Sequence, residues 1–305
     1  MNETPVSSPA AEFSAAQAVA AGTDFAELKV SADGLFWIEF RPADGACRVW
    51  HWLHYQARCL TPPGFSVRSR VYEYGGGAFC LSGDVLLFVN EADQQLYRQA
   101  LKDGAPVALT RGDCRYGDLH AHADQVLAVE ECANEHRLVA IDIHSGQRRL
   151  LAAGADFYAA PTLSPNGQRL AWIEWDRPDQ PWVATRLCQR KSGERTQVLA
   201  GQGRDQSLQQ PRFDVQGQLW VLSDKAGWWQ PRCVDKQHDA RAAPFDHAPA
   251  PWQLGGRTYL PLENGELLLT RFEQGTGVLV GCAARTNCFA AETDGAHGAP
   301  YERQL

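Results

Sequence analysis

The sequence predicts an all-β protein: a β-propeller of about six four-stranded blades, or of seven with the last incomplete. Three observations carry that prediction. In FYAAPTLSPNGQRLAWIEW, Pro161, Leu163 and Ser164 lead into the turn Pro165-Asn166-Gly167, after which Leu170, Trp172, Ile173 and Trp175 supply a half-buried strand. The same figure returns at Pro211-Arg212-Phe213, with Gly217 at the turn and Leu219-Trp220-Val221-Leu222 behind it. A second figure, a hairpin closed at a glycine, recurs around Gly104, Gly146 and Gly193. Strand pairs and hairpins alternating with a period of about 40–50 residues are the signature of propeller blades.

The elements follow in order. Residues 1–13 are rich in Pro, Ser and Ala and read as flexible; 14–281 read as the propeller, and 282–305 as an irregular tail or an incomplete last blade. Ser14 to Ala21 has the N-cap and Gln spacing of a short helical turn, ended by Gly22. The first blade runs from Phe25 to Leu60, with strands at Leu28–Val30, Leu35–Phe40, Cys47–Leu53 and Arg58–Leu60. The second takes in Ala78–Leu81, Val85–Val89 and the Gly104 hairpin; the third runs from Tyr116 to Leu151. The fourth is the opening figure plus the Gly193 hairpin. A fifth starts near Ser207 and includes a polar turn before Trp228-Trp229; a sixth begins at Pro251-Trp252 and takes in Arg257–Leu262 and Glu266–Phe272. After Gly275 the alternation decays: Val278-Leu279-Val280 reads as one more strand, and Ala283 to Leu305 as loop.

Composition excludes several functions. A hydrophobic content of 44% in 305 residues is enough for a sizeable core, and ten Trp against one Met favour rigid aromatic packing of strands. A net charge of −7 without any Lys/Arg run leaves no footprint for nucleic acid. The N-terminus has neither a basic nor an apolar leader region, and no stretch is long and apolar enough to span a bilayer, so a cytoplasmic protein without membrane partners is expected. Nine cysteines without a C-x-x-C pair read as reduced thiols.

The most distinctive loop is VRSRVYEYGGGAF. Three glycines suggest phosphate binding only between a strand and a helix and before Lys-Ser/Thr; here a strand follows, so they read as the place where inner strands crowd at the axis. Arg70 and Glu73 beside them, and Trp228 and Trp229, are the candidate peptide-facing residues, because guanidinium, carboxylate and aromatic groups suit peptide termini and side chains. Asp118, His120 and His122, and likewise Glu130, Glu131 and His136, could be imagined as acid/base or metal clusters. Neither has an oriented nucleophile or an H-E-x-x-H frame, and both read as turn and surface residues of the third blade. No catalytic residue, metal or cofactor is expected.

At VRSRVYEYGGGAF, GADFYAAPTLSPNGQRLAWIEWD and SLQQPRFDVQGQLWVLSDKAGWW the chain resembles the N-terminal β-propeller of the prolyl oligopeptidase family of serine peptidases, in its dipeptidyl-aminopeptidase and acylaminoacyl-peptidase-like branch. The resemblance covers roughly Phe13 to Phe272 and implies a propeller seated over an α/β-hydrolase domain, which it shields so that only peptides enter. The G-x-S-x-G elbow of such a domain does not occur in the sequence, so the family's catalytic residues map to no position here. The expected function is therefore substrate gating or docking without catalysis, with a hydrolase-domain chain or a peptide as partner. The alternative is a stand-alone propeller that scaffolds protein partners. A calcium-dependent enzyme at the axis would need several side-chain oxygens converging on one ion.

Overall fold

The computed structural model describes residues 22–236, 244–273, 276–283 and 302–303. The expected helical turn at Ser14–Ala21 and the flexible start lie outside them. The described residues contain strands and one short 3-10 turn, Val234–Lys236, and among them no helix is long and apolar enough to cross a membrane.

Among the described residues twenty-three strands form six antiparallel sheets, each built by consecutive strands. Sheet one comprises β1 (Asp24–Ser31), β2 (Gly34–Arg41), β3 (Ala46–Leu53) and β4 (Gln56–Cys59); sheet two comprises β5 (Phe79–Ser82), β6 (Val85–Val89), β7 (Leu96–Ala100) and β8 (Val107–Ala108). Sheet three holds β9 (Arg115–His122), β10 (Gln125–Cys132), β11 (Glu135–Asp142) and β12 (Arg148–Ala153). Sheet four holds β13 (Phe157–Leu163), β14 (Arg169–Trp175), β15 (Arg186–Lys191) and β16 (Gln197–Ala200). Sheet five has β17 (Leu208–Phe213), β18 (Leu219–Ser223) and β19 (Gln230–Cys233); sheet six has β20 (Tyr259–Pro261), β21 (Glu266–Glu273), β22 (Thr276–Ala283) and β23 (Glu302–Arg303).

The turns form for the reasons visible in the chain. Gly167, at φ +70°, donates its N–H to Ser164 O at 2.7 Å, while Asn166 Oδ1 accepts from Gln168 N at 3.1 Å. Gly217, at φ +78°, repeats the bond to Asp214 O at 2.9 Å. Alternation then buries one face of each sheet against the next. Five apolar clusters join sheet one to two, two to three, three to four, four to five and five to six. Trp172 and Tyr158, both fully buried, fill the junction of sheets three and four with Leu127, Val129 and Leu138. No cluster joins sheet six to sheet one among the described residues, and Phe25, Leu28 and Val30 of β1 are 69%, 62% and 69% exposed.

Several expectations need correction. Among the described residues sheet five has three strands, and just beyond β19 the Asp235 carboxylate accepts from Leu219 N at 2.7 Å and pairs with Arg169 at 2.8 Å. The next described segment lies between sheets five and six: His247 N donates to Trp229 O at 3.0 Å, and Asp246 bridges Phe272. No seventh sheet occurs among the described residues. Part of the predicted tail loop is strand, because Glu302 and Arg303 pair with Val280 and Leu279. Cys114 and Cys132, which flank the β9–β10 hairpin, are joined by a disulfide, against the reading of reduced thiols.

Candidate functional site

The site is built from one irregularity repeated around the axis. The inner strands β1, β9, β13 and β17 each carry a β-bulge, at Glu27, Asp118, Ala160 and Gln210, all in the left-handed region at φ +53°, +52°, +50° and +56°. A bulge re-aims side chains. Glu27 sends its carboxylate to Ala78 N at 2.9 Å, Asp118 reaches Ala160 N at 2.6 Å, and Gln210 Oε1 reaches Thr258 N at 2.8 Å. Each of these bonds runs from one sheet to the backbone of the next. Sheet two needs no bulge side chain: Gly76 O accepts from Asp118 N at 3.1 Å, and Gly77 O accepts from Leu119 N at 2.9 Å.

The glycine run is where it was expected, at the crowded centre. A Cβ on Gly77 would stand 2.4 Å from Asp118 Cα, and one on Gly76 would stand 2.1 Å from Leu254 O. Leu254 forms a parallel bridge with Gly76 and donates to Gly75 O at 2.9 Å, so the strap leading into sheet six lies across the centre against sheet two.

Two residues beyond each bulge stand Lys29, His120, Thr162 and Arg212, and all four line one cavity together with Arg257 of the strap. Its cavity volume is about 40 Å³. A neighbouring cavity of about 50 Å³ shares Asp118, Ala160 and Gln210 but is lined on its other side by Ile173, Trp175 and Leu208. The bulge ring separates a cationic chamber from a more apolar one.

The charges are unevenly paired. Lys29 is buried, bonds the Phe79 carbonyl and lies 3.5 Å from Glu27; burial pulls its pKa below the ordinary lysine range. Burial pushes the Asp118 carboxyl up, although the Ala160 amide opposes this. His120 is driven down to about 3, first by burial and then by Arg257 and Arg212, so its imidazole is neutral. Arg212 donates to Gly256 O at 3.1 Å and lies over the Tyr259 ring at 5.5 Å; burial and the nearby Arg257 lower its pKa to about 10. Its Nε–H is buried without an acceptor, and neither Arg212 nor Arg257 has a carboxylate partner among the described residues.

The sequence-predicted candidates lie elsewhere. Arg70 is on the surface, 3.0 Å from Glu91, and Glu73 is 2.6 Å from Arg115; neither lines the axial cavities. Trp228 is 39% exposed beside β19, and Trp229 is half-buried, its amide donating to Asp246 at 2.8 Å. No contact joins the two tryptophans to Arg70 or Glu73 among the described residues. The dismissed triplet Asp118, His120 and His122 is not a turn cluster: all three are on inner strand β9, and the first two face the axial cavities. Glu130 is buried under a bidentate Arg148, with both contacts at 2.5 Å, and Glu131 accepts from Tyr72 N at 3.1 Å beside His136. Among the described residues one group of three ligand-type side chains converges, Cys114, Glu130 and Cys132; its two sulfurs are bonded to each other and its carboxylate is held by Arg148. The axial residues could have been found by aligning Ala160-Pro161-Thr162 with Gln210-Pro211-Arg212, since the repeat places the residue after each proline at the axis.

Solved structures share this architecture. A puromycin-hydrolyzing peptidase of Mycobacterium tuberculosis is 28% identical, with a TM-score of 0.75 over 85% of this chain and 45% of its own. These structural neighbours are puromycin-hydrolyzing peptidases of the prolyl oligopeptidase family, and this chain matches about half of each. A puromycin hydrolase complexed with PGG is 25% identical with a TM-score of 0.79, covering 88% of this chain and 46% of its own; puromycin hydrolase without that ligand is 24% identical with a TM-score of 0.78 over 87% and 46%. The chain therefore spans about half the length of these prolyl oligopeptidase relatives, which are serine peptidases. No protein-family model and no curated protein matches it.

Proposed function

We propose that this chain is the non-catalytic propeller portion of a prolyl-oligopeptidase-family serine peptidase, gating or docking peptides for a hydrolase part. The observation that carries the reading is the extent of the match: 85% of this chain aligns with 45% of a peptidase at 28% identity. The sequence agrees with it, having no G-x-S-x-G elbow to raise a nucleophile. Peptide contact is assigned to the axial chambers and to the accessible Arg70, Glu73, Trp228 and Trp229.

The test is hydrolysis of puromycin and of short peptides by the purified chain, alone and mixed with the separately produced hydrolase part of a relative. No turnover alone, and co-elution with a changed peptide-length preference in the mixture, is the expected result. Turnover by the chain alone, abolished by a serine-directed inhibitor, overturns the reading. The apolar strip of Phe25, Leu28 and Val30 favours a second reading, a propeller that scaffolds another protein; a partner held without any hydrolase would support it.

A further inference from the structure

We propose that the cationic axial chamber is a binding site for a monocarboxylate, held between the guanidinium groups of Arg212 and Arg257 with Lys29, His120 and Thr162 around it. Each residue in it comes from a different part of the chain, and the repeated bulge brings four of the five to the same depth.

Charge selects the ligand. Three cationic side chains, Lys29, Arg212 and Arg257, line the chamber against one carboxylate, Asp118, while Glu27 lies outside the lining beside Lys29, so with His120 neutral the chamber has an excess of positive charge. The anions are already engaged with the backbone of neighbouring sheets, at Ala78 N and Ala160 N, and neither pairs with an arginine. A singly charged carboxylate meets that excess at a lower desolvation cost than a phosphate dianion in a half-enclosed space. The geometry of the donors agrees. The buried Nε–H of Arg212 has no acceptor among the described residues, and a guanidinium presents paired N–H groups at the spacing of two carboxylate oxygens. The adjoining cavity, lined by Ile173, Trp175 and Leu208, offers apolar contact to a small group attached to that carboxylate.

The site stands on its own geometry and does not depend on the gating reading. Binding is measured on the full chain alone, so a failure here leaves the pairing with a hydrolase untouched, and a failure of that pairing leaves this site untouched. The experiment is calorimetric titration with N-acetylglycine, N-acetylglycinamide and inorganic phosphate. Saturable one-to-one binding of the acid, none of the amide and weaker binding of phosphate are expected. Arg257 is exposed, so Arg257→Ala should keep the urea midpoint and weaken the acid by about tenfold or more, the loss of one charge-assisted contact. Arg212→Lys keeps the charge but loses the fork and should weaken it as well, while Asp118→Asn, which removes a negative charge, should strengthen it. Equal binding of acid and amide, tighter binding of phosphate, no saturable binding of the acid, or an unchanged affinity in a folded Arg257→Ala chain would each overturn the proposal.

Discussion

Replacing Gln210 with alanine isolates the link between sheets five and six. Its Oε1 accepts from Thr258 N at 2.8 Å, its Nε2 donates to Thr258 Oγ1 at 3.1 Å, and both bonds disappear in Gln210→Ala. The Tyr259 hydroxyl still donates to the residue 210 carbonyl at 2.7 Å, so the strap stays attached at one point. The threonine hydroxyl can turn toward solvent, but the amide loses its only designated acceptor. An orphaned partly buried amide costs about 1–3 kcal/mol. We take about 2 kcal/mol, which for a folded part of this size lowers Tm by about 4–8 °C. Gln210→Gly loses the same bonds yet relieves the left-handed backbone at φ +56°, so it should be about 1 kcal/mol less damaging than alanine, reversing the usual order of the two residues. Urea unfolding followed by tryptophan fluorescence reads both variants. An alanine variant within 0.5 kcal/mol of the parent (about the noise of surface substitutions), or a glycine variant less stable than alanine, refutes the linking role.

Three further outcomes are expected. Breaking the Cys114–Cys132 disulfide opens a loop of 18 residues and should cost about 3 kcal/mol; reductant and Cys114→Ser should lower the urea midpoint equally, and a parent chain indifferent to reductant would contradict the bond. The hydrogen bond to Glu131 raises the His136 pKa, so the pair stabilises the fold fully below the unfolded value of about 6.5, and that contribution is lost as pH rises through the higher folded value. His136→Gln should therefore flatten the decline of stability above neutrality, and an identical decline in parent and variant would refute it. Leu28→Ser on the exposed face of β1 should change stability by less than about 0.5 kcal/mol, whereas Phe36→Ala in the same sheet should cost about 3–5 kcal/mol; a large cost at Leu28 would mean that another part of the chain covers it.

The strands were legible because their signals are local. Alternating apolar residues and the turns at Gly34, Gly104, Gly146, Gly167 and Gly193 locate the four strands of sheets one to four within a few residues. Around sheet five the less legible features are long-range: Asp235 ties to Leu219 and Arg169 across 16 and 66 residues, a contact no window of sequence displays. The disulfide was missed for a related reason: Cys114 and Cys132 meet only once β9 and β10 pair. The site was the least legible part. Arg70 and Glu73 stand beside the axial glycines in sequence, yet the turn after Ser69 points them outward to Glu91 and Arg115. The groups that do reach the axis are each ordinary strand residues, and it is the single extra residue of a bulge that turns them inward.

The most direct test of this account is hydrogen–deuterium exchange of the full chain, free and with N-acetylglycine. The amides of Ala78, Ala160 and Thr258, each donated to a side chain of the preceding sheet, should exchange as slowly as the central strands. The ligand should add protection at 210–212 and 255–258 and leave the outer strands unchanged. Rapid exchange at those three amides, or protection confined to the surface around Arg70 and Glu73, would show that the bulges neither hold the propeller together nor form its binding site.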